Sequence, residues 1–124
     1  MLVVEIDPVA KPRQTRSDKW RQRKCVMDYR AYADELRLAA RYDNFIPGNE
    51  IEIEFHIQMP RSWSKKKQAQ NLGKPHKSLN SKDIDNLIKS VLDALYESDG
   101  CVWSVSAKKY WSDKGKVMLK NKWE

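Results

Sequence analysis

The chain reads as an α+β fold: a mixed or antiparallel sheet of about four strands with two helices packed on one side, forming one domain over residues 1–124. Three observations predict it. Glu50 to Met59 alternates without a fault, Ile51, Ile53, Phe55, Ile57 and Met59 on one face and Glu50, Glu52, Glu54, His56 and Gln58 on the other, the period of a strand buried on one side. Between Val26 and Arg41, Tyr29, Ala33, Leu36 and Ala40 recur at helical spacing with charges mostly elsewhere. After the long strand comes a second helical pattern and then two further strand-like runs, a mixture of strand and helix within a length that suits one core.

The elements follow in order. Met1 to Ile6 is a short strand ended by Asp7-Pro8, because proline cannot donate to a ladder. The basic stretch after it has no usable periodicity, and the helix of 26–41 and the strand of 50–59 come next. Pro60 to Lys82 is polar and irregular, a loop of a length that is usually functional. Asp85 or a neighbour then caps a helix with an apolar stripe of Ile88, Val91, Leu92 and Leu95, ending near Tyr96. Cys101 to Trp111 and Val117 to Trp123 read as strands joined by a turn at Ser112-Asp113-Lys114-Gly115.

Charge is unevenly spread. There are 24 Lys and Arg against 17 Asp and Glu, a formal net charge of +7, and 14 of those 24 cations lie in Lys11–Lys24 and Pro60–Lys82. Clustered cations of this kind bind a polyanion by releasing its counterions. The two cysteines, Cys25 and Cys101, form no CxxC and no Cys/His spacing, which argues against structural zinc and a disulfide framework and for reduced thiols. The apolar start is too short for a signal segment and no other run approaches a membrane span, so no membrane partner and a cytosolic location are expected.

The acid-free basic loop stops at Asp83-Ile84-Asp85. A carboxylate repels a phosphodiester backbone unless a divalent cation lies between them, and Mg²⁺ is held by one or two carboxylates plus a substrate phosphate. On an extended approach to a helix the two aspartates share a face; Lys89 and Asp93 then follow Asp85 at i+4 and i+8. The plainer alternative is that Asp83 and Asp85 compete for an N-cap while Lys89 makes a surface pair. Glu52, Glu54 and His56 form a second row on one strand face, better suited to solvent than to a metal. His76, in the cationic loop, suits a phosphate contact or no role. Trp63 can stack on an unpaired base or anchor its loop on the core, and Trp20 is better read as an anchor.

These residues resemble the RusA family of Holliday-junction resolvases, small dimeric endonucleases of phage and prophage. The likeness is carried by Asp83-Ile84-Asp85-Asn86-Leu87-Ile88-Lys89 with Asp93-Ala94-Leu95, which looks like the family's D-x-D-N-L-x-K and D-A-L signature. Lys11-Pro12-Arg13-Gln14-Thr15-Arg16, Met59-Pro60-Arg61-Ser62-Trp63-Ser64 and the run Ala107 to Trp111 support it. The resemblance implies Asp83 and Asp85 as two of three metal-binding catalytic carboxylates and Lys89 as the catalytic lysine. The family's third carboxylate follows a longer connection than this chain has; keeping the downstream strand in register assigns it to Asp99, with Ser98 in place of a preceding acid. Asp93 is expected beside the site, holding Lys89 or a ligand. Arg13, Arg16, Arg61, Lys65, Lys66, Lys67 and Lys74 are expected to grip junction arms through phosphates.

The function so implied is a Mg²⁺-dependent endodeoxyribonuclease, with Mn²⁺ as a substitute, that resolves four-way junctions by paired symmetric nicks in recombination and repair. It would act as a homodimer in the cytoplasm of a bacterial host, because two incisions related by a two-fold suit a C2 pair of sites. The rival expectation is a non-catalytic protein that binds branched or single-stranded DNA.

Overall fold

The computed structural model describes residues 1–12, 24–78 and 82–124; Arg13, Arg16 and Trp20 lie outside the described residues. Four strands, β1 (Leu2–Val4), β2 (Glu50–Gln58), β3 (Ser104–Ser112) and β4 (Lys116–Asn121), accompany helices α1 (Lys24–Tyr42), α2 (Lys65–Asn71) and α3 (Ile84–Leu95) and a 3₁₀ turn at Asp99–Cys101. The sheet is mixed, in the order β1-β4-β2-β3, with β2 and β3 parallel and the other pairs antiparallel. The expected α+β class is therefore observed.

The alternation of β2 sets the inside of the sheet. Ile51, Ile53, Phe55 and Ile57 are buried with Leu2, Val4, Val117 and Leu119 from the neighbouring strands, and with Tyr29, Tyr32, Ala33 and Leu36 of α1 and Leu87, Val91 and Ala94 of α3 they form one core. On the opposite face Glu52 pairs with Lys120 at 3.2 Å, and Glu54 lies 3.2 Å from His56. That row is an outer face of the sheet whose acids have found local partners, and no metal trio forms there among the described residues.

Three expectations are corrected. First, the turn after Ser112 does not join neighbouring strands: β2 lies between β3 and β4. The connection crosses the end of β2, and at Gly115 an added Cβ would collide with the backbone of Asp7, so the crossing has no room for a side chain. Second, the expected irregular loop contains α2, capped by Ser64, whose hydroxyl accepts from the Lys67 N–H at 3.2 Å. A third helix is thus present, although α2 contributes nothing to the core because none of its residues is buried.

Third, the buried face of α3 is Leu87, Ser90, Val91 and Ala94, about one residue round from the expected stripe, while Ile88 and Leu95 are partly buried at its margin. Hydropathy passes over Ser90, but its hydroxyl donates to the Leu87 carbonyl at 2.7 Å and so enters the core without an unmet hydrogen bond.

Candidate functional site

The first turn of α3 presents the two carboxylates. Asp83 occupies the N-cap position with an extended backbone, yet its side chain makes no capping hydrogen bond. Asp85 accepts only the N–H of its neighbour Asn86, through Oδ1 at 2.9 Å. The N-cap explanation of this pair therefore lacks its hydrogen bond. Both residues are exposed and make no ion pair among the described residues. An acid in the first turn is favoured by the helix dipole, so Asp85 is well placed without a cation partner. Lys89 is exposed one turn further along.

Two sets of cations are carried by the segments that lead to this end of the helix. The segment after α2 hydrogen-bonds to the outer edge of β3: Gly73 N–H donates to the Trp111 carbonyl at 2.9 Å, Trp111 N–H to the Lys74 carbonyl at 2.9 Å, and His76 N–H to the Lys109 carbonyl at 3.0 Å. Gly73, with φ at +78°, makes the left-handed turn out of α2 that starts this pairing. The edge is thereby covered, and Arg61, Lys65, Lys66, Lys67 and Lys74 are exposed on a folded segment. Three lysines open α2 with no acid in its first turn, an arrangement the helix dipole disfavours and an anion would relieve. Closer to α3, Lys82 and Lys109 flank the carboxylates, Lys109 Nζ donating to the Lys82 carbonyl at 2.8 Å.

Trp63 is an anchor. Its ring packs on Trp111 at 4.8 Å between centroids, and the Lys67 ammonium stands 4.3 Å above it. His76 is buried against Trp111 at 4.1 Å, so it is no surface phosphate contact. Burial, and next the positive charge of Lys109, hold its imidazole below the usual histidine pKa.

Asp93 has a partner other than Lys89. It accepts from Lys11 Nζ at 2.8 Å, and that ammonium also reaches Tyr29, 3.5 Å from the hydroxyl and 4.7 Å from the ring centroid. Burial lowers the Lys11 pKa, but the hydrogen bond to Asp93 and the neighbouring Tyr29 outweigh it, and the net shift is upward. With its N–H donating to the Asn86 carbonyl at 3.1 Å, Lys11 ties the N-terminal segment, α1 and α3 together.

Asp99 stands at the other end of α3. Twelve residues of helix separate the two places, about 18 Å at 1.5 Å per residue. Hydrogen bonds agree: Trp103 N–H donates to the Asn49 carbonyl where β2 begins, whereas Lys82 is tied to Lys109, well along β3. The expected gathering of Asp83, Asp85 and Asp99 around one ion is not present within the chain, and among the described residues no three His, Cys, Asp or Glu side chains could hold a metal together. The physical reason is the rigid helix between them. A cleft of about 760 Å³ also lies at the Asp99 end, lined by Arg37, Arg41, Phe45, Ile46, Tyr96 and Glu97 among others; it contains none of Asp83, Asp85 and Lys89.

Sequence reasoning passed over the supporting residues Asp7, Lys11, Lys82 and Lys109. Lys11, in the run Lys11-Pro12-Arg13-Gln14-Thr15-Arg16, and Lys109, between Ala107 and Trp111 on one face of a predicted strand, carried usable signals. No described helix is long and apolar enough to cross a membrane.

A family model described as Endodeoxyribonuclease RusA matches residues 5–120. Searches of curated proteins and of solved structures returned no match.

Proposed function

The chain belongs to the RusA endodeoxyribonuclease family, whose members are Holliday-junction resolvases, and on that premise we propose that it cuts four-way DNA junctions by paired symmetric nicks in a reaction that needs Mg²⁺ or Mn²⁺. The observation that carries this reading is the pair of exposed carboxylates, Asp83 and Asp85, without cation partners at the start of α3 and with Lys89 one turn away.

Two carboxylates and a phosphate oxygen are an ordinary donor set for magnesium, so Asp83 and Asp85 fit the ion that the family implies. A divalent ion held there would supply activation of the attacking water and neutralisation of charge on the scissile phosphate. Lys89 would stabilise negative charge as it grows on the phosphate in the transition state. Arg13, Arg16, Arg61, Lys65, Lys66, Lys67 and Lys74 would hold the junction arms by their phosphates with little base reading. Asp93, bound to Lys11, would act at one remove by keeping α3 in place.

The homodimer belongs to the same proposal for two reasons. Symmetric incision of a four-way junction asks for two sites related by a two-fold axis. Asp99, beyond the far end of a helix about 18 Å long, would complete a three-carboxylate site only from a second copy. The setting would be the cytoplasm of a bacterium carrying the phage or prophage gene.

One observation favours a second reading, a DNA-binding protein without catalysis: among the described residues no third carboxylate joins Asp83 and Asp85. Incubating a labelled synthetic four-way junction with and without Mg²⁺ separates the two. Paired nicks at symmetric positions, dependent on the ion, are expected. A shifted but uncut junction in both conditions would remove the nuclease and leave the binder.

A further inference from the structure

Asp83 begins α3 without capping it, so the contact that ordinarily fixes such a residue is missing. What holds the chain here is the residue before it. Lys82 is gripped twice: its Nζ donates to Asp7 Oδ2 at 2.7 Å, and its carbonyl accepts from Lys109 Nζ at 2.8 Å. That carbonyl shares one rigid peptide plane with the N–H and Cα of Asp83. Fixing its oxygen therefore fixes the direction in which the chain enters Asp83.

Both anchors are themselves held. Asp7 Oδ1 accepts the N–H of Gln58 at 2.9 Å, at the end of β2, and Asp7 packs on Gly115 too closely for a side chain between them. Lys109 lies between Ala107 and Trp111, both packed against the core, and its own carbonyl is bonded by His76. A partly buried ammonium facing an apolar layer needs an acceptor, and the one it takes is the carbonyl before Asp83. The plain reading is a stitch that fastens a loop to the sheet. The location argues for more, because bonds from two separate elements converge on the residue that precedes the first carboxylate, one on its ammonium and one on its carbonyl.

We propose that Asp7, Lys82 and Lys109 are positioning residues for the Asp83–Asp85 pair, and that Lys82 and Lys109 belong to this clamp rather than to the DNA-binding rim. The catalytic consequence rests on the function proposed above; the clamp does not.

The test uses two variants of the full chain. Asp7→Asn keeps an acceptor for Gln58 and removes the charge facing Lys82, and Lys109→Met removes the donor to the carbonyl. In metal-free protein, amide exchange over residues 82–87 is expected to accelerate by about fivefold or more in both, with exchange in α1 unchanged. Single-turnover nicking of the junction should fall by about tenfold or more, while junction affinity in EDTA and its salt dependence stay as in the wild type. Lys109→Arg, which keeps a donor, should recover part of both losses.

Unchanged exchange in both variants overturns the clamp. So does a salt dependence that flattens by about 0.9 log units in Lys109→Met, because Lys109 would then be a phosphate contact. A wild type that never nicks, beside exchange that responds as expected, counts against the nuclease and supports the clamp.

Discussion

The two ends of α3 are built for different purposes. At its C-terminal end three hydrogen bonds serve docking: Tyr96 N–H bonds the Leu92 carbonyl at 3.0 Å, Arg37 Nε bonds the Ala94 carbonyl at 2.8 Å, and the Tyr96 hydroxyl bonds the Gly48 carbonyl at 2.7 Å. The Ala94 carbonyl, one of the four that the helix leaves open, is met by a cation where the dipole favours one. At the N-terminal end the capping hydrogen bond is absent, and two exposed carboxylates stand among lysines. A helix end arranged for stability alone would cap itself. Exposed acids without cation partners among the described residues at one end, and carbonyls bonded by protein groups at the other, are the contrast on which the proposed ion and phosphate site rests.

The largest predicted effect strikes the open end. Asp85→Asn should lower nicking on the order of a hundredfold or more, beyond the loss usual for groups that only support a metal ligand. Junction binding should be kept or tightened, since a repulsive charge is removed; loss of binding as well would speak against a catalytic carboxylate.

Mixing asks whether the two ends work on the same site. Asp85→Asn and Asp99→Asn proteins should each be inactive, and a mixture that exchanges subunits should regain about a quarter of wild-type sites, as statistical pairing of shared sites requires. No regain would mean that Asp99 is not supplied by a second copy.

At the closed end, Arg37→Met should lower unfolding free energy by about 1 kcal/mol, measured in denaturant, through the lost bond to the Ala94 carbonyl. The nicking rate at saturating junction should not change. A catalytic defect in that variant would erase the distinction between the ends.

The smallest effect concerns His76, beside the open end. Its folded pKa is depressed by burial and by Lys109, so below the unfolded value of about 6.5 the unfolded chain binds a proton that the folded chain refuses. Stability is then complete above that pH and is lost as pH falls through it toward the depressed folded value. His76→Gln should flatten that acid limb in thermal melts across pH 5 to 7.5, and an unchanged limb would assign it to other groups.

Much of this protein follows from local pattern. The strict alternation of β2 and the helical spacing of Tyr29, Ala33, Leu36 and Ala40 specify their elements, because an apolar face can be buried only at the period of the backbone that carries it. The Asp83–Lys89 run likewise placed two carboxylates and a lysine at the start of a helix from spacing alone. Tertiary structure decided what depends on distant partners: β2 inserted between β3 and β4, Lys11 on Asp93, the grip on Lys82, and Asp99 at the far end of a rigid helix. Such contacts join residues tens of positions apart, and no local period in the chain encodes which of them will meet.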